Sequence, residues 1–245
     1  MTKRSKVTRI YDDYIAHLND IKSKRYDQME EWFHSSSAGL CARKHYYSTI
    51  EKIKTAPREA DTMRLFRLGD VIHQDIQDAV EWYARNNGIR YFVEKEILIH
   101  ELGVRGFIDL AMIDDGILYD IKSCNSWKWK GIFGRGGTSE SVKNYMMQTA
   151  TYGYWYQKYY HECDLKEMKL LFYKKDTSDM RELDIPISMI QEAEDYWKDV
   201  QSYTKEKDLP PVKLGHSPVM SWECNEKYCS YFKACGGGLL AQQKR

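Results

Sequence analysis

The chain has no apolar run near transmembrane length, and no signal-peptide hydrophobic core follows the opening MTKRSKVTR. Both absences point to a soluble, cytoplasmic protein, with no membrane among its partners. No charge of one sign dominates. The 37 Lys and Arg balance 36 Asp and Glu at a net charge of +1, so a nucleic-acid surface has to be a local patch. No internal repeat is present, which sets aside solenoids and propellers. Paired C-x2–4-C knuckles are missing as well, although there are six cysteines. In a reducing compartment six thiols ask for a metal or redox explanation rather than a disulfide framework.

What is there is an ordinary globular composition, 42% hydrophobic and 30% charged over 245 residues, enough for one large domain or two small ones. Residues 11–33 read as an amphipathic helix broken by HSSS, and a second helix runs from those serines through AGLCARKHYYSTI. Pro57 reopens a long helix that Asn86-Asn87-Gly88 closes. Strands are expected at 90–100, 104–113 and 117–123, then a loop at 126–140 and a helix at 141–161. Two more strands (168–175 and 180–187) and a helix from about Ser188 to Lys205 complete the pattern, and the stretch from Leu209 reads as irregular. Helices, a strand meander, a crossover helix and further strands make a mixed α/β core with a helical N-terminal layer. The expected divisions are 1–57, 58–208 and 209–245.

The stretch DLAMIDDGILYDIKS, 109–123, carries the first chemical signal. Asp-Gly between alternating apolar residues is a hairpin turn. A two-residue Asp115-Gly116 loop sets Ala111 opposite Asp120 and Asp109 opposite Lys122. Asp109, Asp120 and Lys122 then share one face. On this stretch alone, a cross-strand ion pair between Lys122 and Asp109 on a half-exposed hairpin competes evenly with a functional site. His73 follows Gly69 by one helical turn in RLGDVIH, and the glycine suggests close approach of another backbone or a ligand. Gln148 and Tyr152 lie four apart on the next helix, and Glu94 or Glu96 approaches from the first strand.

Cys224, Cys229 and Cys235 form a C-x4-C-x5-C cluster, for which Cys41 is the natural fourth ligand and Cys124 and Cys163 are competitors. Such a set clasps the two ends of the chain. It favours an iron–sulfur cluster, with structural Zn2+ as the alternative. In SWKWKGIFGRGG, Trp127, Lys128, Trp129, Lys130, Phe133 and Arg135 interleave rings and cations as single-strand binders do. A mobile loop with a docked tryptophan pair explains that stretch equally well.

Taken in order, C…GxxxH…D…DxK…QxxxY…C-x4-C-x5-C resembles the PD-(D/E)XK phosphodiesterase superfamily. Within it, the pattern is similar to the RecB-like iron–sulfur exonuclease branch, which includes the CRISPR-associated adaptation exonuclease and AddB-type nuclease domains. The resemblance spans roughly Cys41 to Cys235. It implies a restriction-endonuclease-like mixed sheet flanked by helices, with a cysteine-clasped C-terminal segment. It also implies a metal-dependent DNA exonuclease acting on single-stranded ends or overhangs, in recombination, repair or CRISPR adaptation alongside protein partners. The resemblance assigns Mg2+ or Mn2+ to His73, Asp109, Asp120 and the Ile121 carbonyl. Catalysis falls to Asp109, Asp120, Lys122, Gln148 and Tyr152, and a [4Fe-4S] cluster to Cys41, Cys224, Cys229 and Cys235. Two positions depart from the family pattern: the spacing before Cys229 is long, and Asp120 stands where Glu is common. An endonuclease on the same core, or a DNA-binding assembly partner with little cleavage, remains the alternative.

Overall fold

The structure, a computed structural model, describes residues 5–27, 32–55, 58–137, 139–211 and 223–236. Pro57, the expected start of the long helix, lies outside them. A first helix, α1 (Lys6–Asp27), is followed by a two-residue strand, β1 (Phe33–His34), and a 3-10 turn at Ser35–Ser37. Next come α2 (Arg43–Thr49) and α3 (Ala60–Asn87). The strands β2 (Tyr91–Ile99), β3 (Val104–Met112) and β4 (Ile117–Cys124) follow in the expected order. The chain then forms α4 (Ser126–Phe133), α5 (Lys143–Tyr159), β5 (Glu167–Lys174), β6 (Met180–Ile185) and α6 (Met189–Glu206). None of the described helices is long and apolar enough to cross a membrane.

The six strands make one mixed sheet, and β3 is its axis. Strand β2 runs antiparallel to β3 from Tyr91↔Met112 to Ile99↔Val104. The other edge of β3 is shared. Strand β1 pairs in parallel at Val104 and Arg105, whereas β4 pairs antiparallel only at Leu110, Ala111 and Met112. Between them, Gly106 to Asp109 have no neighbouring strand on that side. Beyond Tyr119, β4 turns to β5, with which it pairs in parallel along its whole length, and β6 closes the far edge antiparallel. Two helical pairs cover the sheet, α1 on α3 and α5 on α6, and both α3 and α5 lie against the strands.

Local chemistry explains the elements. Gly88 takes φ 66°, the left-handed turn that ends α3 as its sequence signal requires. Helix α5 is buried along most of its length because the sheet and α6 both press on it, so Tyr152, Tyr154 and Tyr156 are core, while Tyr159 at its end is exposed. Trp197, fully buried on α6, donates its indole N–H to Thr151 of α5 at 2.9 Å. Tyr196 donates to the Leu40 carbonyl at 3.0 Å and ties the N-terminal segment to the same layer.

Three expectations are corrected. The first helix starts earlier and Phe33 is not its end but a strand residue: its ring stacks on Trp197, 5.8 Å between centroids, and its N–H donates to Gly103. Residues 126–133 are a helix, not a loop, because the Asn125 side chain caps it by accepting from the Lys128 N–H at 2.9 Å. The hairpin loop is four residues, 113–116, rather than two, so the register moves by two and Ala111 faces Leu118 instead of Asp120. The loop lengthens because Asp114 is recruited by Arg90, which donates to it from both its backbone and its side chain.

Gly106 shows how tightly the uncovered edge is used. A Cβ there would stand 2.8 Å from both Ser35 Cβ and Tyr152 Cε1. We predict that Gly106→Ala destabilises the fold by about 1–3 kcal/mol through overpacking. Thermal melting checks this, and an unchanged melting temperature would contradict the packing described.

Candidate active site at the fork of two strands

The site sits where β3 and β4 part. Continued by one residue, the ladder would set Asp109 opposite Asp120. A two-residue slip keeps the side-chain parity, so both carboxylates and Lys122 still fall on one face. The backbone pairing stops there, and the Asp109 carboxylate takes its place by accepting the Ile121 N–H at 2.8 Å. The Ile121 donor is thereby satisfied without a strand partner.

Asp120 is fully buried. Neither of its oxygens receives a well-aligned hydrogen bond among the described residues, although the Lys122 ammonium lies 2.5 Å from Oδ2. Lys122 therefore pairs within its own strand with Asp120, not across the hairpin with Asp109. It also donates to Gln148 at 3.3 Å, and Gln148 donates to the Tyr152 hydroxyl at 2.7 Å. From α3, His73 Nδ1 stands 3.6 Å from Asp109 Oδ2, and Gly69 lets Ser123 approach the same helix. A continuous chain of contacts thus joins His73, Asp109, Ile121, Asp120, Lys122, Gln148 and Tyr152. Of these, Asp109, Gln148 and Tyr152 border a cleft of about 450 Å³ that reaches Arg105 and the Ser35-Ser36 turn.

Burial governs the electrostatics. It pushes Asp109 up to about 6, against the pull of Lys122 and the Ile121 N–H. It pushes Asp120 up to about 7, where Lys122 opposes the rise and Asp109 adds to it. Burial also works against the Lys122 ammonium, but the two aspartates outweigh it and hold Lys122 above its ordinary value. His73 is driven down by burial and then by Lys122, which favours the neutral ring. Two acidic groups titrating near neutrality beside a fixed ammonium form a site able to exchange protons for a cation.

Of the two glutamates that the sequence left open, Glu94, not Glu96, borders the cleft: it lies in register with Asp109, takes φ 47° and accepts from Gln77, whereas Glu96 pairs with Arg105 at 2.6 Å. Three further participants escaped sequence reasoning. Gln77 also donates to the Asp109 carbonyl at 2.9 Å, and its place four residues after His73 was the available signal. Ser35 donates to the Tyr152 hydroxyl at 3.1 Å from a stretch that reads only as a helix break. The Tyr145 ring lies under two ammonium groups, Lys128 at 4.3 Å and Lys122 at 5.0 Å. It lies three residues before Gln148 on the same helix.

The rest of the proposed binding stretch divides. On α4, Trp127 is 83% exposed and Lys130 is exposed as well, as is Arg135 just beyond the helix. Trp129 instead packs on Phe133, 4.7 Å between centroids, and Lys128 donates to the Tyr145 hydroxyl at 2.9 Å.

In a separate pocket of about 20 Å³, Cys41, Cys224, Cys229 and Cys235 come together. Buried Glu223 joins the chain ends there by accepting from the Cys41 N–H and from Lys44, each at 2.8 Å. Arg43 reaches Cys235 Sγ at 3.3 Å. Burial raises the Cys41 thiol to about 11. Cys124 is buried in the core and Cys163 donates to the Asp164 carbonyl, both away from this pocket. Among the described residues, no three His, Cys, Asp or Glu side chains close into a group that could hold an ion as they stand.

Neither a family model nor a curated protein matches the sequence. Among solved structures, the chain is similar to the crystal structure of SSO0001 at a TM-score of 0.50 and 17% identity, covering 85% of this chain and 88% of that one. It is also similar to an alkaline exonuclease, LHK-Exo, from Laribacter hongkongensis (TM-score 0.49, 12% identity, 76% of this chain and 93% of that one). For LHK-Exo in complex with dAMP the figures are 0.38, 16%, 73% and 93%. At these identities the SSO0001 likeness concerns the fold alone.

The raised aspartates give a pH prediction. The folded protein holds protons on them up to about 6 and 7, whereas the unfolded chain releases them near 4. Ionising them therefore lowers stability as pH rises through that window. Asp120→Asn should gain stability relative to the unchanged protein between pH 5 and 8 in the presence of EDTA. Parallel melting curves check this, and a gap that narrows with pH would refute it.

Proposed function

We propose that this chain is a metal-dependent deoxyribonuclease that hydrolyses phosphodiester bonds, acting as an exonuclease on single-stranded ends or overhangs. The observation that carries the reading is the buried Asp120 carboxylate, without a well-aligned hydrogen bond, beside Asp109 at the mouth of a cleft. A buried carboxylate held this way costs several kcal/mol, which a divalent cation would offset. Two hard oxygen donors, the Ile121 carbonyl and the neutral His73 nitrogen fit Mg2+ or Mn2+, the nitrogen favouring Mn2+. When bound, that ion supplies Lewis-acid stabilisation of the phosphoryl oxygens and lowers the pKa of the attacking water.

The protein's own groups do the remainder. The Lys122 ammonium, fixed by Asp120 and Gln148, faces charge developing on the phosphoryl group. Gln148 and Tyr152 position the scissile phosphate, and Ser35 holds the Tyr152 hydroxyl in place. Water attacks phosphorus and gives up a proton, the phosphorus–oxygen ester bond breaks, and the leaving oxygen takes up a proton in return, so that one water is added across the bond. The exposed Trp127, Lys130 and Arg135, with Lys128 behind them, form the approach for the strand.

The four cysteines offer the thiolate set that an iron–sulfur cluster or a structural zinc takes, and either would clasp the chain ends that Glu223 already joins. That reading supports the RecB-like iron–sulfur branch of the PD-(D/E)XK superfamily. Iron with equal sulfide in anaerobically purified protein would mark a cluster and zinc alone a single ion; neither would rule the clasp out. One observation favours the second reading, a DNA-binding partner without cleavage: the described ligands do not yet close around an ion.

Hydrolysis of end-labelled single-stranded DNA with Mn2+ separates the two. Stepwise shortening by the unchanged protein is expected, with at least a hundredfold loss in Lys122→Ala. Replacing Lys128, Lys130 and Arg135 by Ala should raise the DNA concentration for half-maximal rate. No shortening by intact, metal-loaded protein would favour the partner reading.

A further inference from the structure

A second and larger concavity, of about 580 Å³, lies between the start of β2 and the end of α5. Five aromatic residues line it, and three of them, Phe92, Trp155 and Tyr160, pack on one another as a wall. Trp155 and Tyr160 are within 19° of parallel with centroids 6.4 Å apart, and Phe92 stands edge-on to both, at 6.4 and 5.1 Å. All three pack against the core with part of each ring exposed, so the wall is stiff. Lys95 is exposed, lies over Phe92 at 5.6 Å and forms no ion pair among the described residues. Arg90 makes the opposite rim, 2.7 Å from Asp114 and 3.3 Å from Glu162.

The placement ties this groove to the carboxylate fork. Gln148, Tyr152 and Trp155 follow one another at four and three residues, a single stripe on α5. Trp155 is therefore about 10 Å along the axis from Gln148 at 1.5 Å per residue. On β2, Phe92 lies only two residues before Glu94, which borders the catalytic cleft. The same two elements thus carry both concavities side by side.

We propose that this groove is a stacking subsite for an unpaired nucleobase of the DNA strand whose phosphate lies at Asp109 and Asp120. The assignment rests on the nuclease reading for what lies at the fork. Aromatic faces accept any base, and cations beside them meet the flanking phosphates. A three-ring wall can also cage a quaternary ammonium. Here that ligand is disfavoured: the sole lining carboxylate, Glu162, is engaged by Arg90 and by the Tyr160 hydroxyl at 3.1 Å, and Lys95 would repel a cation.

The test uses the full chain in EDTA with a fluorescein-labelled oligothymidylate, read by anisotropy, and with its 5-iodouracil analogue for photocrosslinking. Trp155→Leu and Lys95→Glu should each weaken binding about tenfold. The crosslink should map to Trp155 or Tyr160. Should Trp155→Leu fail to fold, the exposed Lys95 variant and the crosslink on unchanged protein decide. Binding unchanged in both variants, or a crosslink that maps elsewhere, overturns the subsite. Cleavage in Mn2+ is measured on the same preparations. Strand shortening with unaltered variant binding would sink the subsite and leave the nuclease. Variant-sensitive binding without shortening would keep the subsite as a strand-binding site and sink the nuclease.

Discussion

The contact on which the rest depends is the 2.8 Å hydrogen bond from the Ile121 N–H to the Asp109 carboxylate. Two antiparallel strands ordinarily continue to pair until one ends. Here β4 leaves β3 after three paired residues because its next strand partner is β5, and the donor that the separation would strand is taken by a side chain. The fork opens the sheet between the two helices, α3 and α5, that lie against its strands. Everything polar in the site lines that opening: Asp120 from one prong, Asp109 from the other, and His73 and Gln148 from the helices covering them.

That opening is costly, and the fold concentrates the cost. Two buried carboxylates lie beside a single ammonium, with Asp120 held up near neutrality and Glu94 in the left-handed region across the strand. The surroundings are correspondingly rigid. Gly106 leaves no room between Ser35 and Tyr152, and α5 is buried along most of its length while α6 locks it from behind through Trp197. A strained, polar centre inside a tightly packed frame is what preorganised catalysis requires.

Much of the strand order was legible because alternation and glycine punctuation are local signals. Asp109, Asp120 and Lys122 could be placed on one face before the register was known, since a slip of two residues preserves parity. The hairpin loop was misjudged because Arg90, distant in sequence, captures Asp114 and outweighs the turn preference of Asp-Gly. Helix α4 was missed for a similar reason: its lysines and glycines read as loop, and one Asn125 cap reverses that. Ser35 left no signal at all, because its role arises from which elements meet. The gathering of Cys41 with three cysteines almost two hundred residues away followed from counting thiols rather than from any local pattern.

The central claim is that the fork holds a divalent cation between its two aspartates. Crystals grown in EDTA and soaked in Mn2+, measured at the manganese absorption edge, test it without reliance on activity. The account predicts an anomalous peak in contact with both Asp109 and Asp120, absent from crystals of Asp120→Asn. Manganese bound elsewhere on the protein while the fork stays empty would contradict it.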